Sequence, residues 1–559
     1  MHKFGAVDLV VVVVYLAAMA ALGIAQTVKV KTSGDYFAGG RKFGKWLMVM
    51  HALGTGTHAD DPVGVAGASY KWGISGIWYT YAYLFATPFY WIIAPFFRRS
   101  RYITTADFFE ARFGPGLGLL YAIVGVLIFS INSGILLKGT GTIAESVTQG
   151  RIPEWAAILA MTVVFVGYGF AGGLVATVVT ESVQGVLIVV MSLLLVPFGL
   201  AAVGGFSGLH ALVSADKFSL HAPAEITILW IVVASFMSLI HIVSHPHIME
   251  VCSTGKTEWE GRVGFTYGNF IKRFCAMGWA FTGLIVLALV ASGQVSSLGE
   301  RENAFGVGIR VLLPQGMTGL MFAAILAAQM STLSAFMVAG SALLSRNIYA
   351  RYLRPQAGDR ELLLVGRLAG LAIPLLGVAF AFTIEGVAEG LTIFWAVASF
   401  TGLFIWAGVL WRRTNATGAW ASFAIMTVVW LLLGPMGIRL HSLFPGYDWL
   451  GIFGDKAQLP QLVACYLPVG VVALVLGSLV GKGLDPKALD QFYLLLKTPV
   501  GQEHKLEEAG VKVVYHGSTE AHPWETKHPV AVNVGGFLVG LAFALAILGL
   551  LWLLTRIGA

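Results

Sequence analysis

"HALGTGTHADDPVG", residues 51–64, interrupts a segment otherwise built from Trp, Leu, Met and Val. Gly54 and Gly56 weaken a helix here, and Pro62 removes a backbone donor and biases Asp61 away from helical geometry. An unwound stretch leaves carbonyl oxygens free, which is useful where they coordinate something. The surroundings say which solvent the break sits in. Of the 559 residues 57% are hydrophobic and 12% charged, and apolar runs of about 20 residues, the length that crosses a roughly 30 Å hydrocarbon core, recur along the chain. Fourteen helices are predicted, near residues 4–26, 44–72, 75–97, 115–148, 153–171, 173–203, 226–252, 265–292, 316–346, 361–385, 388–411, 416–437, 458–481 and 531–555. The expected class is all-α, a polytopic membrane protein with about 14 transmembrane helices. In lipid each segment satisfies its own backbone groups, and no barrel-like alternation is present.

The net charge of +7 is read through its placement, because Lys and Arg in loops set membrane topology. Sorting them by loop puts 26 of the 36 basic residues on one side, taken as inner, including Lys256, Arg262, Lys272 and Arg273 in one loop. This predicts a multi-pass protein of the cell (inner) membrane with both termini outside, and no nucleic-acid partner. The N-terminal run reads as the first span rather than a signal peptide, since basic residues follow it as a stop-transfer flank would. Cys252, Cys275 and Cys465 show no metal-ligand spacing and read as small apolar residues. The stretch "LDQFYLLLKTPVG" is expected to lie along the inner surface as an amphipathic helix, and residues 438–457 as a compact outer loop. The sequence has no phosphate-binding loop, zinc helix or nucleophile turn. An enzyme and an ATP-driven pump are therefore not expected.

Three further interruptions stand out. In "SHPHIME", 244–250, Pro246 separates His245 from His247 in the seventh predicted span. Two broken spans separated by four intact ones point to a transporter of two inverted five-helix repeats with its site at the breaks; the alternative is kinks that bind nothing. In "AAQMSTLSA", 327–335, Ala328, Ser331 and Thr332 share a helix face at i, i+3 and i+4. Oxygen donors without a carboxylate cluster suit Na⁺ better than a transition metal, although such hydroxyls also bond back to the preceding turn. In "GGLVATVVTESVQG", 172–185, Glu181 and Gln184 enter the sixth span after a Gly-Gly pair.

This last string, through Gly172, Gly173, Ala176, Thr180, Glu181 and Gln184, resembles the signature of the sodium:solute symporter family. "SGDYFAGGR" at 33–41, "ADFFEARFG" at 106–114, "SHPHI", "AAQMSTLSA" and "RRTNATGA" at 412–419 agree with the same family in order, so the resemblance covers nearly the whole chain. It implies a leucine-transporter-like fold: an N-terminal helix and inner loop at 1–43, a ten-helix core with a 5+5 inverted repeat at 44–413, and three peripheral helices at 414–559 with an inner hydrophilic loop at 482–530. It implies sodium held by carbonyls of Gly54, Thr57 and Ala328 with the hydroxyls of Ser331 and Thr332. A second sodium, present in some relatives, would use Glu181, Ser331 and Ser334, while Ala335 stands where that site has a hydroxyl. The solute pocket would draw on Thr55, His58, Ser238, His241, His245 and Trp395. Asn347 stands where many relatives have Asp, and "THADDP" has no family counterpart.

The implied function is sodium-coupled secondary active symport of a small polar solute, of the sugar, amino acid or carboxylate class, by alternating access. Na⁺ is the coupling ion and the bilayer the other partner. A proton- or divalent-metal-coupled transporter using His58, Asp60 and His245 keeps the same fold, and a non-transporting membrane sensor is a third reading. Asp61 either caps the outer half-helix, with Pro62 at its favoured first position, or lines an outer vestibule. Lys138 either pairs with Glu145 or reaches the pocket.

Overall fold

Long apolar runs with no alternating pattern bury their backbone polarity in helical hydrogen bonds, and the computed structural model is nearly all helical. It describes residues 4–27, 33–222, 225–434, 436, 459–515 and 517–559. The predicted loop at 438–457 and the basic residues Lys29 and Lys31 lie outside the described residues.

The helices that build the bundle are α1 (Ala6–Thr27), α2 (Lys45–Thr55), α3 (Asp60–Trp72), α4 (Thr87–Ser100), α5 (Pro115–Thr148), α6 (Glu154–Val203), α7 (Ile228–Ile242) and α8 (Pro246–Ser253). They continue as α9 (Glu258–Ala291), α10 (Met317–Ala342), α11 (Asp359–Gly370), α12 (Ala372–Ala381), α13 (Val387–Leu410), α14 (Ala416–Leu433), α15 (Leu459–Val480) and α16 (Pro529–Leu554). Among the described residues nine helices are long and apolar enough to cross a membrane, or ten if the pair α7 and α8, bent by 68°, counts as one. Of the remaining predicted spans, 4–26 forms the continuous α1 and 153–171 the first part of α6, while two are interrupted. Residues 44–72 form α2 and α3 on either side of a break, and 75–97 pass through a short helical turn, Trp78–Tyr81, before α4.

Glycine and proline set these breaks. The predicted spans at 153–171 and 173–203 merge in α6 across Gly173, whose φ of 56° and ψ of −168° lie outside helical geometry. A Cβ there would also meet the Tyr36 ring at 2.6 Å, so the second glycine of the signature is needed twice over. Pro246 starts α8, at the position where a missing N–H costs least.

α2 packs between α9 and α6 and also touches α10, while α3 packs on α9. Both halves of the first broken helix thus lean on α9. The basic end of the bundle is tied by the hydrophilic segment after α15. The expected amphipathic helix is Pro486–Lys497, with Phe492, Leu495 and Leu496 buried. Beyond it, Arg101 donates to the carbonyls of Thr498 and Pro499 and pairs with Glu503 at 2.9 Å, and Arg262 pairs with Glu525 at 2.6 Å. Asn347 finds its account at the same end. Its amide donates to Asp107 Oδ1 at 2.7 Å and its Oδ1 accepts from Thr104 at 2.8 Å; an aspartate at 347 would place a carboxylate against Asp107.

Candidate functional site

The first break runs from Gly56 to Ala59, where neither helix continues. Gly54 stands one turn earlier, at the closest approach of three helices. A Cβ there would meet Glu181 Cγ at 2.9 Å and Ser331 Oγ at 3.2 Å, so only glycine lets α2 reach both α6 and α10. Thr332 Oγ1 lies 3.1 Å from the Gly54 carbonyl and 3.1 Å from the Ala328 carbonyl. A hydroxyl has one proton and cannot serve two carbonyls at once. Two carbonyls and a hydroxyl therefore converge here, oxygen donors of the kind that suit a hard cation. Of the predicted sodium ligands, Gly54, Ala328 and Thr332 come together directly. Thr57 has a buried hydroxyl without a hydrogen-bond partner and lines, with Ala328, a cavity of about 30 Å³. Ser331 turns its hydroxyl to Glu181 Oε1 at 2.6 Å.

Glu181 is already well served. Thr55 also donates to Oε1, at 2.8 Å, and Oε2 meets His51 Nδ1 at 2.5 Å. Ser334, proposed beside it for a second ion, has a buried hydroxyl with no hydrogen bond and none to Glu181. Behind His51, its Nε2 is 4.0 Å from Glu250, whose two carboxylate oxygens are buried and accept no hydrogen bond.

A cavity of about 90 Å³ lies between the two breaks, and Thr55, His58, His245 and Trp395 line it as expected. Ser238 and His241 do not line it. The Ser238 hydroxyl donates to the Ala82 carbonyl at 2.9 Å. His241 stands a layer behind, 3.0 Å from His245 Nε2 and stacked on the Trp395 ring. The resemblance implied both at the pocket; they sit behind the residues that line it.

The residues that sequence reasoning missed are Lys272 and Arg273, which line the cavity instead of lying in an inner loop. Their helix starts earlier than its apolar stretch. Thr257 and Glu260 form a capping box at the start of α9, which runs for 34 residues, so Lys272 stands about 21 Å along the axis at roughly 1.5 Å per residue. The T-x-x-E spacing at 257–260 was the available signal.

Lys272 reorganises the reading of the first break. It donates to the Gly56 carbonyl and pairs with Asp61 at 2.8 Å. Asp61 also accepts the His58 amide at 3.1 Å. It is therefore not a helix cap: α3 begins one residue earlier and Pro62 falls at its third position. Asp60 pairs with His58 Nδ1 at 2.5 Å. Lys138, left between two partners, pairs instead with Glu154 at 2.8 Å. Arg273, next to Lys272, has its guanidinium 5.1 Å from the Tyr83 ring centre and 3.5 Å from Asn269 Oδ1.

The model of the sodium:solute symporter family matches residues 36–425. The sodium/proline symporter of Escherichia coli is 27% identical over 474 residues, covering 80% of this chain and 91% of that one. The sodium/myo-inositol cotransporter 2 of Sus scrofa is 25% identical over 487 residues, covering 78% and 70%. Among solved structures, a Na⁺-coupled sialic acid symporter in a substrate-bound outward-open state aligns with a TM-score of 0.71 at 18% identity, over 86% of this chain and 99% of that one. At that identity the likeness speaks to the fold.

Proposed function

This chain belongs to the sodium:solute symporter family, and on that premise we propose how its residues divide the work. The protein is a multi-pass membrane transporter, not an enzyme, and couples solute movement to Na⁺. Its sodium lies where the broken helix meets α10, on the carbonyls of Gly54, Thr57 and Ala328 and the hydroxyls of Ser331 and Thr332. The observation that carries this reading is Thr332 Oγ1 between two carbonyls, 3.1 Å from each. One sodium is enough to account for the oxygens, because Glu181 is already met by His51, Thr55 and Ser331. The solute, small and polar like the proline and myo-inositol of the relatives' names, occupies the cavity between the breaks.

Transport proceeds by alternating access across a core at 44–413 built as two inverted five-helix repeats, within fourteen crossings of the cell membrane and with both termini outside. Sodium draws the broken helix onto α10 and, by linkage, raises solute affinity. A divalent-metal reading has one observation in its favour, the ligand atoms of His58, Asp60 and Asp61 within 4.8 Å of one another. Lys272 weighs against it, since its ammonium holds Asp61 at 2.8 Å, where a metal would compete.

The test is uptake by proteoliposomes containing the S331A/T332A variant. Sodium dependence is expected to vanish while the protein still folds; an unchanged sodium affinity would remove the site.

A further inference from the structure

Arg273 is a buried cation that the fold leaves without an anion. It is 2% exposed and stands near the midpoint of the 34-residue α9. A charge at membrane depth is costly and is ordinarily paired. Among the described residues no carboxylate lies within 4.0 Å of it, its Nε makes no hydrogen bond, and the Asn269 contact is a long 3.5 Å. The nearby acids are engaged, Asp61 with Lys272 and Asp60 with His58. Trp395 Nε1, buried on the same cavity, also lacks an acceptor. Guanidinium and indole N–H groups are donors only, and although Asp60 and Asp61 also line the cavity, neither of these two donors has an acid of its own among the described residues.

Building on the symport reading above, we propose that the cargo is a small monocarboxylate whose carboxylate pairs with Arg273, within the same cavity as the Trp395 N–H. Guanidinium offers parallel N–H groups that match the two carboxylate oxygens. A polyol would leave the cation unpaired, and the ammonium of an amino acid would find both aspartates taken. The cavity of about 90 Å³ suits an acid of a few carbons.

The experiment uses the full chain in proteoliposomes under an inward sodium gradient, with radiolabelled L-lactate, butyrate, the amides of both, proline and myo-inositol as probes. At least one acid is expected to accumulate while its amide does not. R273Q should raise the KM for that acid by about thirtyfold or more, the low end for truncating one partner of a buried charge pair, and R273K should recover part of it. Should R273Q fail to fold, the contrast of acid with amide in the unaltered protein tests the same claim. Sodium-driven accumulation of inositol, proline or an amide in preference to the acids overturns the proposal and leaves symport standing. Acid uptake driven by a proton gradient alone, still dependent on Arg273, supports the carboxylate assignment and overturns the sodium reading. If no acid moves under either gradient, the proposal fails.

Discussion

Arg262 and Arg273 lie eleven residues apart on α9, about three turns and so on one face, and both are 2% exposed. Their surroundings differ. Arg262 pairs with Glu525 at 2.6 Å, donates to the Trp91 carbonyl at 2.6 Å and stacks over the Trp91 ring. Arg273 has an aromatic neighbour and a distant amide but no acid. A buried guanidinium with its own counter-charge holds the basic end of the bundle together. One without it, facing a cavity at mid-helix, is poised for a charge that arrives from outside.

The largest effect that would break this comparison is on stability. Arg262→Gln leaves Glu525 buried without its partner, and is expected to lose about 3–5 kcal/mol, the usual cost of breaking a buried pair. Arg273→Gln removes a charge that was already unpaired and is expected to keep its melting temperature. Equal losses in thermal unfolding of the two purified variants would erase the distinction.

A pH series sharpens the same contrast. Burial, with Glu258 beside it, pushes the Glu525 carboxyl from 4.5 up to about 7, and loss of Arg262 raises it further. The folded R262Q protein then holds a proton that the unfolded chain releases, so its stability declines as pH rises from about 4.5 through 7 and beyond. The R262Q melting temperature should recover most of its loss near pH 5 and fall more steeply than the wild type toward pH 8. A flat profile would mean that Glu525 is not the stranded group.

The smallest expected change converts one arginine's situation into the other's. Asn269→Asp places a carboxylate where Asn269 Oδ1 now stands, 3.5 Å from Arg273. A charge-assisted bond of this kind is expected to add about 1.5–3 kcal/mol while abolishing uptake of the acid, because the internal carboxylate takes the cargo's place. Stabilisation without loss of uptake would show that Arg273 is not where the cargo binds.

Much of the fold was readable from local chemistry. The predicted apolar segments are helical over most of their described length, and Gly56 and Pro246 stand at the two breaks, whereas Gly54 and Pro62 lie inside α2 and α3 and Asp61 is helical. The residues proposed to hold sodium were also within reach, since Ala328, Ser331 and Thr332 share a face by spacing alone. The assignment of Lys272 and Arg273 to a loop failed for a physical reason. Both were counted with the inner flank because Lys and Arg usually mark loops, although they fall inside the predicted span at 265–292; α9 is largely enclosed by other helices and carries polar residues where it borders a cavity. Asp61 was misread similarly, because the group that claims its carboxylate lies on another helix.

Hydropathy and backbone stereochemistry act over a few residues, and from them follow the membrane class, the helices and the two break points. Partnership acts across space. Gly54 meets Thr332 278 positions away, His51 meets Glu181 130 positions away, and Arg262 meets Glu525 263 positions away. Which buried charges are neutralised from within, and which one stays open for cargo, depends on such distant encounters. No local spacing encodes them, and only the packed bundle reveals that, among the described residues, Arg273 meets an aromatic ring but no carboxylate.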